Sequence, residues 1–492
     1  MKILKKNEKS KKDKSKKRGS VAVLLVCIFV SLMLAVGSIG EAALRSAAVS
    51  VSECAVENAC RSVLAGYDKA LKDRYGLFGF EYDESKMADM IGKLTEAETA
   101  SFRLTKCSVE EVKTEKSGYC LNDTETFLGQ IKDIMKYRVF TDSIDSFYSM
   151  FRSGKSAISM LSNSDKRKKS LEESLEKAEK EAKESEDTED DSSFLKIESV
   201  HRLLKNVRKR ADNDIENNDE ENDNILKNGK IIGPLPSVSA GCKANRAFSG
   251  TVSAISKITG FQTAGSISEE IYIDEYIRCF FTEYTDEKSD DSFFNNEIEY
   301  ILYGDYSDSE NYKRARRTLY LLRTAMNMAY IYSDSSKAAE TQAVSQSITP
   351  GPFAALTQIL IIAAWSAAEA SNDIKNLEAG NRIPFVKTAD TWKVSIDSII
   401  SGSFSGSMIK NDSSSGLEYE RYLELLLLTE KTETKVRRMM DLIQINLKGT
   451  ERSDFILGNL FCGFVADVKL QKKSIYSGIG NGTFSVKLLN KY

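Results

Sequence analysis

Proline is nearly missing from this chain: five residues in 492, the first of them Pro234. Average usage is about 5%, so more than two hundred residues run without the main helix breaker. Long helices are favoured, and an all-β module is argued against. Histidine is scarcer still, with His201 alone. It falls on an apolar helical face with Phe194, Ile197, Leu204 and Val207, which reads as a packed imidazole rather than a ligand or catalyst. The cysteines (Cys27, Cys54, Cys60, Cys107, Cys120, Cys242, Cys279, Cys462) form no CxxC pair, so zinc-ligand spacing is missing. Cys54 and Cys60 lie on one predicted helix and point to different sides. Cys107 and Cys120 fit a facing pair across a strand–turn–helix corner, or two scattered buried thiols, the reading favoured here. No nucleophile–base pair or phosphate-cradling loop emerges. Gly478-Ile479-Gly480-Asn481-Gly482-Thr483 is too close to the end of the chain to open a helix, and reads as a hairpin turn centred on Asn-Gly. The sequence predicts no catalytic residue, no metal site and no cofactor, and the chain is read as a non-enzyme.

What is present is an asymmetry of charge. Residues 1–18 carry a net +8, so the remaining chain carries −11. Directly after the basic run, Val21–Ile39 has 19 residues without a charge, enough at helical rise to span about 28 Å, close to the hydrocarbon thickness of a bilayer. Val21, Leu24, Leu25, Ile28, Phe29, Leu32, Leu34 and Ile39 are the expected membrane anchors. Lysine clusters also attract nucleic acid, but lysines set against an apolar span mark a cytoplasmic tail; no nucleic-acid partner is expected.

A cleaved secretory signal is the rival, because Ala35-Val36-Gly37 and Ser38-Ile39-Gly40 both offer small residues for cutting. Against cleavage, Glu41, Arg45, Glu53, Glu57, Arg61, Asp68 and Lys72 make one polar stripe. Leu44, Ala48, Val51, Ala55, Ala59, Val63 and Tyr67 make the opposing line. This pattern predicts one helix continuing to about Arg74, and an uncut anchor is favoured.

Lys17-Arg18-Gly19-Ser20 before the span resembles the start of TadG-like proteins. So do the helix ending Leu64-Ala65-Gly66-Tyr67-Asp68 and the segment Asp73-Arg74-Tyr75-Gly76-Leu77-Phe78-Gly79. More narrowly, the chain resembles an uncharacterised family of large TadE/TadG-like surface proteins associated with tight-adherence (Flp-type) pilus systems, mainly of Gram-positive bacteria. Further segments carry the likeness: Glu299-Tyr300-Ile301-Leu302-Tyr303-Gly304, Trp365 to Glu369, Asn381 to Trp392 with Pro384 and Lys387, and Gly416 to Leu423 with Tyr419 and Tyr422. The resemblance implies a pilus-associated or minor-pilin-like protein, with pilin-like or Tad assembly proteins as partners and no role assigned to these residues. Gly19 and Ser20 would flank a prepilin-type processing site. The fifth residue after such a cut is Leu24, where major pilins carry glutamate.

Further along, residues 100–115 alternate as strands, and Asn122–Glu125 opens a helix carrying Phe127, Ile131, Ile134 and Met135. Residues 161–230 turn highly charged and predict a helical hairpin. Its acidic 211–224 stretch reads as a solvated linker, lacking the glycine and glutamate of a calcium loop. Helices are expected over 266–284, 312–332 and 418–448. The apolar 353–368 stretch is short for a span and contains Gln358, which favours a central buried helix. Arg314, Arg316, Arg317 and Arg323 are expected on a solvated or carboxylate-paired face. Glu369 with Arg382 or Lys387 suggests either a functional cluster or a structural ion pair.

The expected fold class is α+β, predominantly α. A cytoplasmic tail (1–20), a transmembrane helix (21–39) and a stalk helix (40–75) precede an extracytoplasmic body in two parts, 76–160 and 231–492, around the 161–230 insertion. Residues near 100–115 and 462–490 would form a small antiparallel sheet. The expected function is a single-pass structural or interaction protein of a tight-adherence pilus. A ligand-binding or sensory ectodomain, and less so a carboxylate-dependent hydrolase, are the alternatives.

Overall fold

A computed structural model describes residues 2–102, 104–116, 118–138, 173, 235–243, 267–287, 291–351, 353–404, 407–411, 416–450, 452–474 and 482–492. The segment around Phe147–Phe151, His201 with most of the 161–230 insertion, and the 475–481 turn lie outside these residues. The described chain is mostly helical with small antiparallel sheets, and divides into two compact units.

The first unit is built from residues 1–69, 78–121 and 458–492. Its spine is α1 (Lys2–Leu64). From Val21 to Ile39 the large apolar side chains of this helix are 50–70% exposed. From Ala48 on, one face (Ala48, Ser52, Ala55, Val56, Ala59, Cys60, Val63) is buried at the spacing of three and four that a helix–core contact requires. That face packs with α3 (Glu84–Ala100), whose Met87, Ile91, Thr95 and Thr99 are buried. It packs also on a three-stranded antiparallel sheet of β2 (Cys107–Lys116), β4 (Gly463–Lys472) and β5 (Gly482–Lys491), with β4 in the centre. Phe464, Ala466, Val468 and Leu470 alternate into this core. The short pair β1 (Phe80–Glu81) and β3 (Leu460–Phe461) completes the unit. The sheet joins the two sequence regions expected to form it; α3 carried no helix expectation.

The continuous helix to Arg74 is corrected. Ala65 N–H donates to the Arg61 carbonyl and Gly66 N–H to that of Val63, which closes the last turn. The chain then bends so that Tyr67 packs edge-on against Phe78, ring centres 5.1 Å apart. Helix resumes only as α2 (Lys69–Tyr75) and stops at Gly76, in the left-handed region at φ 70°.

The second unit, residues 70–77 and 122–457, is helical throughout its described part. It contains α4 (Thr124–Arg138), α5 (Pro236–Ser239), α6 (Ile267–Phe280), α7 (Glu297–Tyr303), α8 (Asp308–Ser333), α9 (Ser335–Ile348), α10 (Ala354–Glu378), α11 (Ile396–Ile400), α12 (Tyr419–Leu427) and α13 (Thr432–Thr450). Asp123 caps α4 by accepting from Thr126 N–H at 3.0 Å. Helix α10 holds the apolar stretch expected to be central. Ile361, Ile362, Trp365, Ala368, Ile374 and Leu377 are buried, and it packs with α8 and α9. The single helix expected over 418–448 is in fact α12 and α13. Thr429 Oγ1 donates to the Leu426 carbonyl and Thr432 Oγ1 to Glu270, so two threonines bond outside the helical ladder at the break.

Candidate functional site

Helix α10 is buried on several faces, and one of those faces is polar. Trp365, Glu369, Asn372, Asp373 and Asn376 recur at fours and threes along it and are at most 1% exposed. Arg323 and Asn327, one turn apart on α8, face this row. Arg323 Nε donates to Asp373 Oδ2 at 3.0 Å, and Nη2 donates to Asn327 Oδ1 at 3.2 Å. The loop 381–394 closes the remaining side. Lys387 Nζ stands 2.6 Å from Glu369 Oε1 and 2.6 Å from Asp373 Oδ1, and donates to the Thr391 carbonyl at 3.0 Å.

Backbone groups satisfy much of what the side chains leave open, while Asn372 Nδ2 is buried without a partner among the described residues. Val394 N–H donates to Glu369 Oε2 at 2.7 Å, and both Trp365 and Trp392 give their indole N–H to the Val394 carbonyl at 2.8 Å. Arg323 Nη1 donates to the carbonyls of Pro384 and Phe385 and to the Tyr422 hydroxyl, which itself donates to the Ile383 carbonyl. The loop is thus tied to three helices through its carbonyls.

Two cations and two carboxylates make the cluster neutral. Burial raises the Glu369 carboxyl, with Lys387 pulling in the opposite direction. Burial opposes the charge on Arg323, but the neighbouring Tyr422 and Asp373 outweigh it and hold the guanidinium above its ordinary value. A closed set of this kind is matched internally, and its chemistry is to fix one loop geometry. Lys337 lies 4.1 Å from the Trp365 ring centre and covers it.

A second polar set surrounds α7. Asn446 donates to Glu297 Oε1 at 2.6 Å and to the Tyr75 hydroxyl at 3.0 Å; Tyr300 donates to Asp441 Oδ2 at 3.0 Å. Tyr419 donates to Glu299 Oε1 at 2.9 Å, while Glu299 Oε2 is buried without a partner among the described residues. Burial, then the nearby Glu283, pushes the Glu299 carboxyl up to about 8. Gly304 ends α7 at φ 65°, and Arg438 Nη1 donates there to the last-turn carbonyls of Ile301 and Leu302 at 2.8 and 2.7 Å. Arg438 makes no ion pair among the described residues and lines a cleft of about 770 Å³ with Ser237, Cys242, Lys243, Asp305 and Tyr306. No group of three or more His, Cys, Asp or Glu is placed to hold a metal among the described residues.

The motif residues therefore fall into distinct places. Trp365, Glu369, Pro384, Lys387, Trp392 and Tyr422 meet in the first cluster, and Tyr75, Tyr300, Gly304 and Tyr419 in the second. Gly76 ends α2, and Phe78 lies in the other unit, stacked on Tyr492. Gly19 and Ser20 lie within α1, as do the eight anchor residues, which are exposed. Arg382 pairs with Glu418 at 2.6 Å, not with Glu369. Sequence reasoning placed Arg323 on a solvated or carboxylate-paired face without naming its partner, and missed Asp373 and Arg438 as network members. The available signal was a repeated polar pair one turn apart, Arg323/Asn327 and Glu369/Asp373, set within the apolar stretches of two helices. Of the other arginines on α8, Arg314 pairs with Asp305 at 2.8 Å and Arg316 with Glu378 at 2.5 Å, while Arg317 is exposed.

No curated protein and no solved structure matches this chain. A family profile does match, over residues 178–472, the larger part of the sequence and all of both polar clusters except Tyr75. The match begins well after α1, so the exposed apolar segment lies outside it. By this match the chain belongs to DUF5702, a family of unknown function.

Proposed function

We propose that the protein is a membrane-anchored, extracytoplasmic structural or interaction protein, held by Val21–Ile39 with its basic tail in the cytoplasm. One observation carries this: the more apolar of the two stretches long enough to cross a bilayer among the described residues, with a mean hydropathy of 2.8 against 1.3, is the stretch of α1 that its own chain leaves uncovered, while the same helix becomes core from Ala48 on. A signal peptide would not need to be continuous with a folded core.

The TadG-like resemblance specifies the assembly: an accessory or minor-pilin-like component of a tight-adherence pilus, with pilin-like or Tad assembly proteins as partners. The Ala48–Val63 face of α1 is used within its own unit, so lateral packing against pilin helices falls to the 21–39 surface. A photocrosslinker at Leu25 or Phe29 tests it. Capture of a pilin-like subunit supports the assignment, and capture of lipid alone contradicts it.

The cleft beside Arg438 favours a second reading, an ectodomain that binds a small anionic ligand through a guanidinium that has no carboxylate partner among the described residues. A saturable thermal shift by such a ligand, lost in Tyr306→Ala, would favour it over the structural role.

A further inference from the structure

Trp365 and Trp392 share one acceptor, the Val394 carbonyl, and the shared bond sets their rings against each other. The ring centres are 5.0 Å apart and the planes meet at 73°. Tyr330, near the end of α8, adds a third wall, its ring centre 5.7 Å from that of Trp392. The corner between the indoles holds a cation. Lys337 Nζ, from the first turn of α9, lies 4.1 Å from the Trp365 ring centre and 5.3 Å from that of Trp392. The three aromatic residues are buried, and the lysine, its side chain 18% exposed, is the most exposed member of the set.

The corner supplies this ammonium with no hydrogen bond. Lys337 Nζ donates to no acceptor among the described residues, and Glu340 Oε2, the carboxylate oxygen that comes near it, stands 3.6 Å away. A primary ammonium that sits here gives up donors that water would satisfy, and is held chiefly by the ring faces. An ammonium with methyl groups in place of its N–H bonds has no such donors to lose, and aromatic faces are its natural partners. The surroundings favour positive charge. Burial, then the charge of Asp334, pushes the Tyr330 hydroxyl up to about 12, and Asp390 adds to it. Glu340, one turn along α9 and largely in solvent, offers the lysine a second place to rest.

We propose that this corner is a binding site for a methylated ammonium group, such as the trimethylammonium of choline, and that Lys337 occupies it until such a ligand takes its place. The faces of Trp365 and Trp392, with Tyr330 beside them, recognise the charge and the methyl groups. Exchange moves the Lys337 ammonium out toward Glu340. The site shares no residue with the Arg438 cleft and takes the opposite charge, and it rests on neither reading of the function given above.

The test is a titration of the full chain in maltoside detergent, followed by tryptophan emission, because Trp365 and Trp392 are the chain's two tryptophans. Choline and glycerophosphocholine, the free group and its lipid-derived form, are added separately. The controls are sodium chloride at equal ionic strength and the tert-butyl analogue of choline, which has the same shape and no charge. The unsubstituted chain should give a saturable change with one or both cations, which identifies the source of the ligand, and none with the controls. Lys337→Ala vacates the corner and should bind about tenfold more tightly. Lys337→Gln, which keeps most of the stem without the charge, should fall between the two. An unsubstituted chain silent to both cations, with its far-ultraviolet dichroism unchanged, overturns the site. An equal response to the uncharged analogue overturns recognition of the charge, and unchanged affinity in both variants overturns Lys337 as the occupant.

Discussion

Arg438 occupies the place where a side chain on Gly304 would stand: a Cβ built there would lie 2.5 Å from Arg438 Nε. The glycine meets two requirements at once. Its φ of 65° ends α7, and its missing side chain lets a buried guanidinium reach the helix's final carbonyls.

Gly304→Ala should therefore cost more than the about 1–2 kcal/mol of a left-handed residue, because Arg438 is displaced as well. Gly40→Ala, with nothing within 4 Å of its Cβ, should instead be neutral or stabilising by up to about 1 kcal/mol. Urea unfolding of the full chain in detergent checks the contrast.

Lys387 carries the charge balance of the first cluster. Lys387→Met leaves Glu369 and Asp373 facing Arg323 alone, and should destabilise the helical unit by about 3–5 kcal/mol. Adding Glu369→Gln restores neutrality and should recover part of that loss. Tryptophan fluorescence reads this unit selectively, since Trp365 and Trp392, the chain's two tryptophans, both lie in the cluster. A double variant as unstable as the single would contradict the charge-balance account.

Stability of the same unit should fall between about pH 4.5 and pH 8. Glu299 keeps its proton up to about 8 when folded, against an ordinary value of 4.5. Between those values the folded chain holds a proton that the unfolded chain has lost, so rising pH favours unfolding. The stabilisation is complete below the lower value and gone above the upper. Glu283 and Glu424, both raised to about 7 by burial, act with the same sign. Glu299→Gln should flatten the fall in Tm measured from pH 5 to pH 8. An unchanged slope would contradict the assignment.

All eight cysteines are free thiols, and they differ in access. Cys54 and Cys279 are exposed, whereas Cys60, Cys107 and Cys462 are buried and the Cys60 thiol is pushed up to about 12 by burial. Maleimide followed by peptide mapping should modify Cys54 and Cys279 in the native protein, and the three buried thiols only after denaturation.

Much of the fold was legible because periodicity survives without tertiary context. The Ala48–Val63 stripe, the buried α10 and the pairing of residue 107–116 with 463–472 follow from apolar spacing and scarce proline. What was not legible depends on contacts between distant segments. The break at Leu64 rests on Tyr67 meeting Phe78, and the break between α12 and α13 on threonine bonds that propensity alone does not specify. Of the polar network, Glu369 with Lys387 was visible as a candidate pair. Arg323 was expected on a solvated or carboxylate-paired face, and it is paired; its partner Asp373 and the two loop carbonyls were not legible, because they come from distant segments.

The most direct test of the membrane-anchored account is cysteine accessibility across the membrane. An impermeant maleimide is applied to intact spheroplasts producing a Lys9→Cys, Cys279→Ser variant, followed by carbonate extraction and peptide mapping. The account predicts that Cys54 is labelled from outside, that the cysteine at position 9 is labelled only after lysis, and that both lie on one carbonate-resistant polypeptide. Labelling of Cys54 only after lysis, or recovery of a soluble chain lacking about its first forty residues, would contradict it.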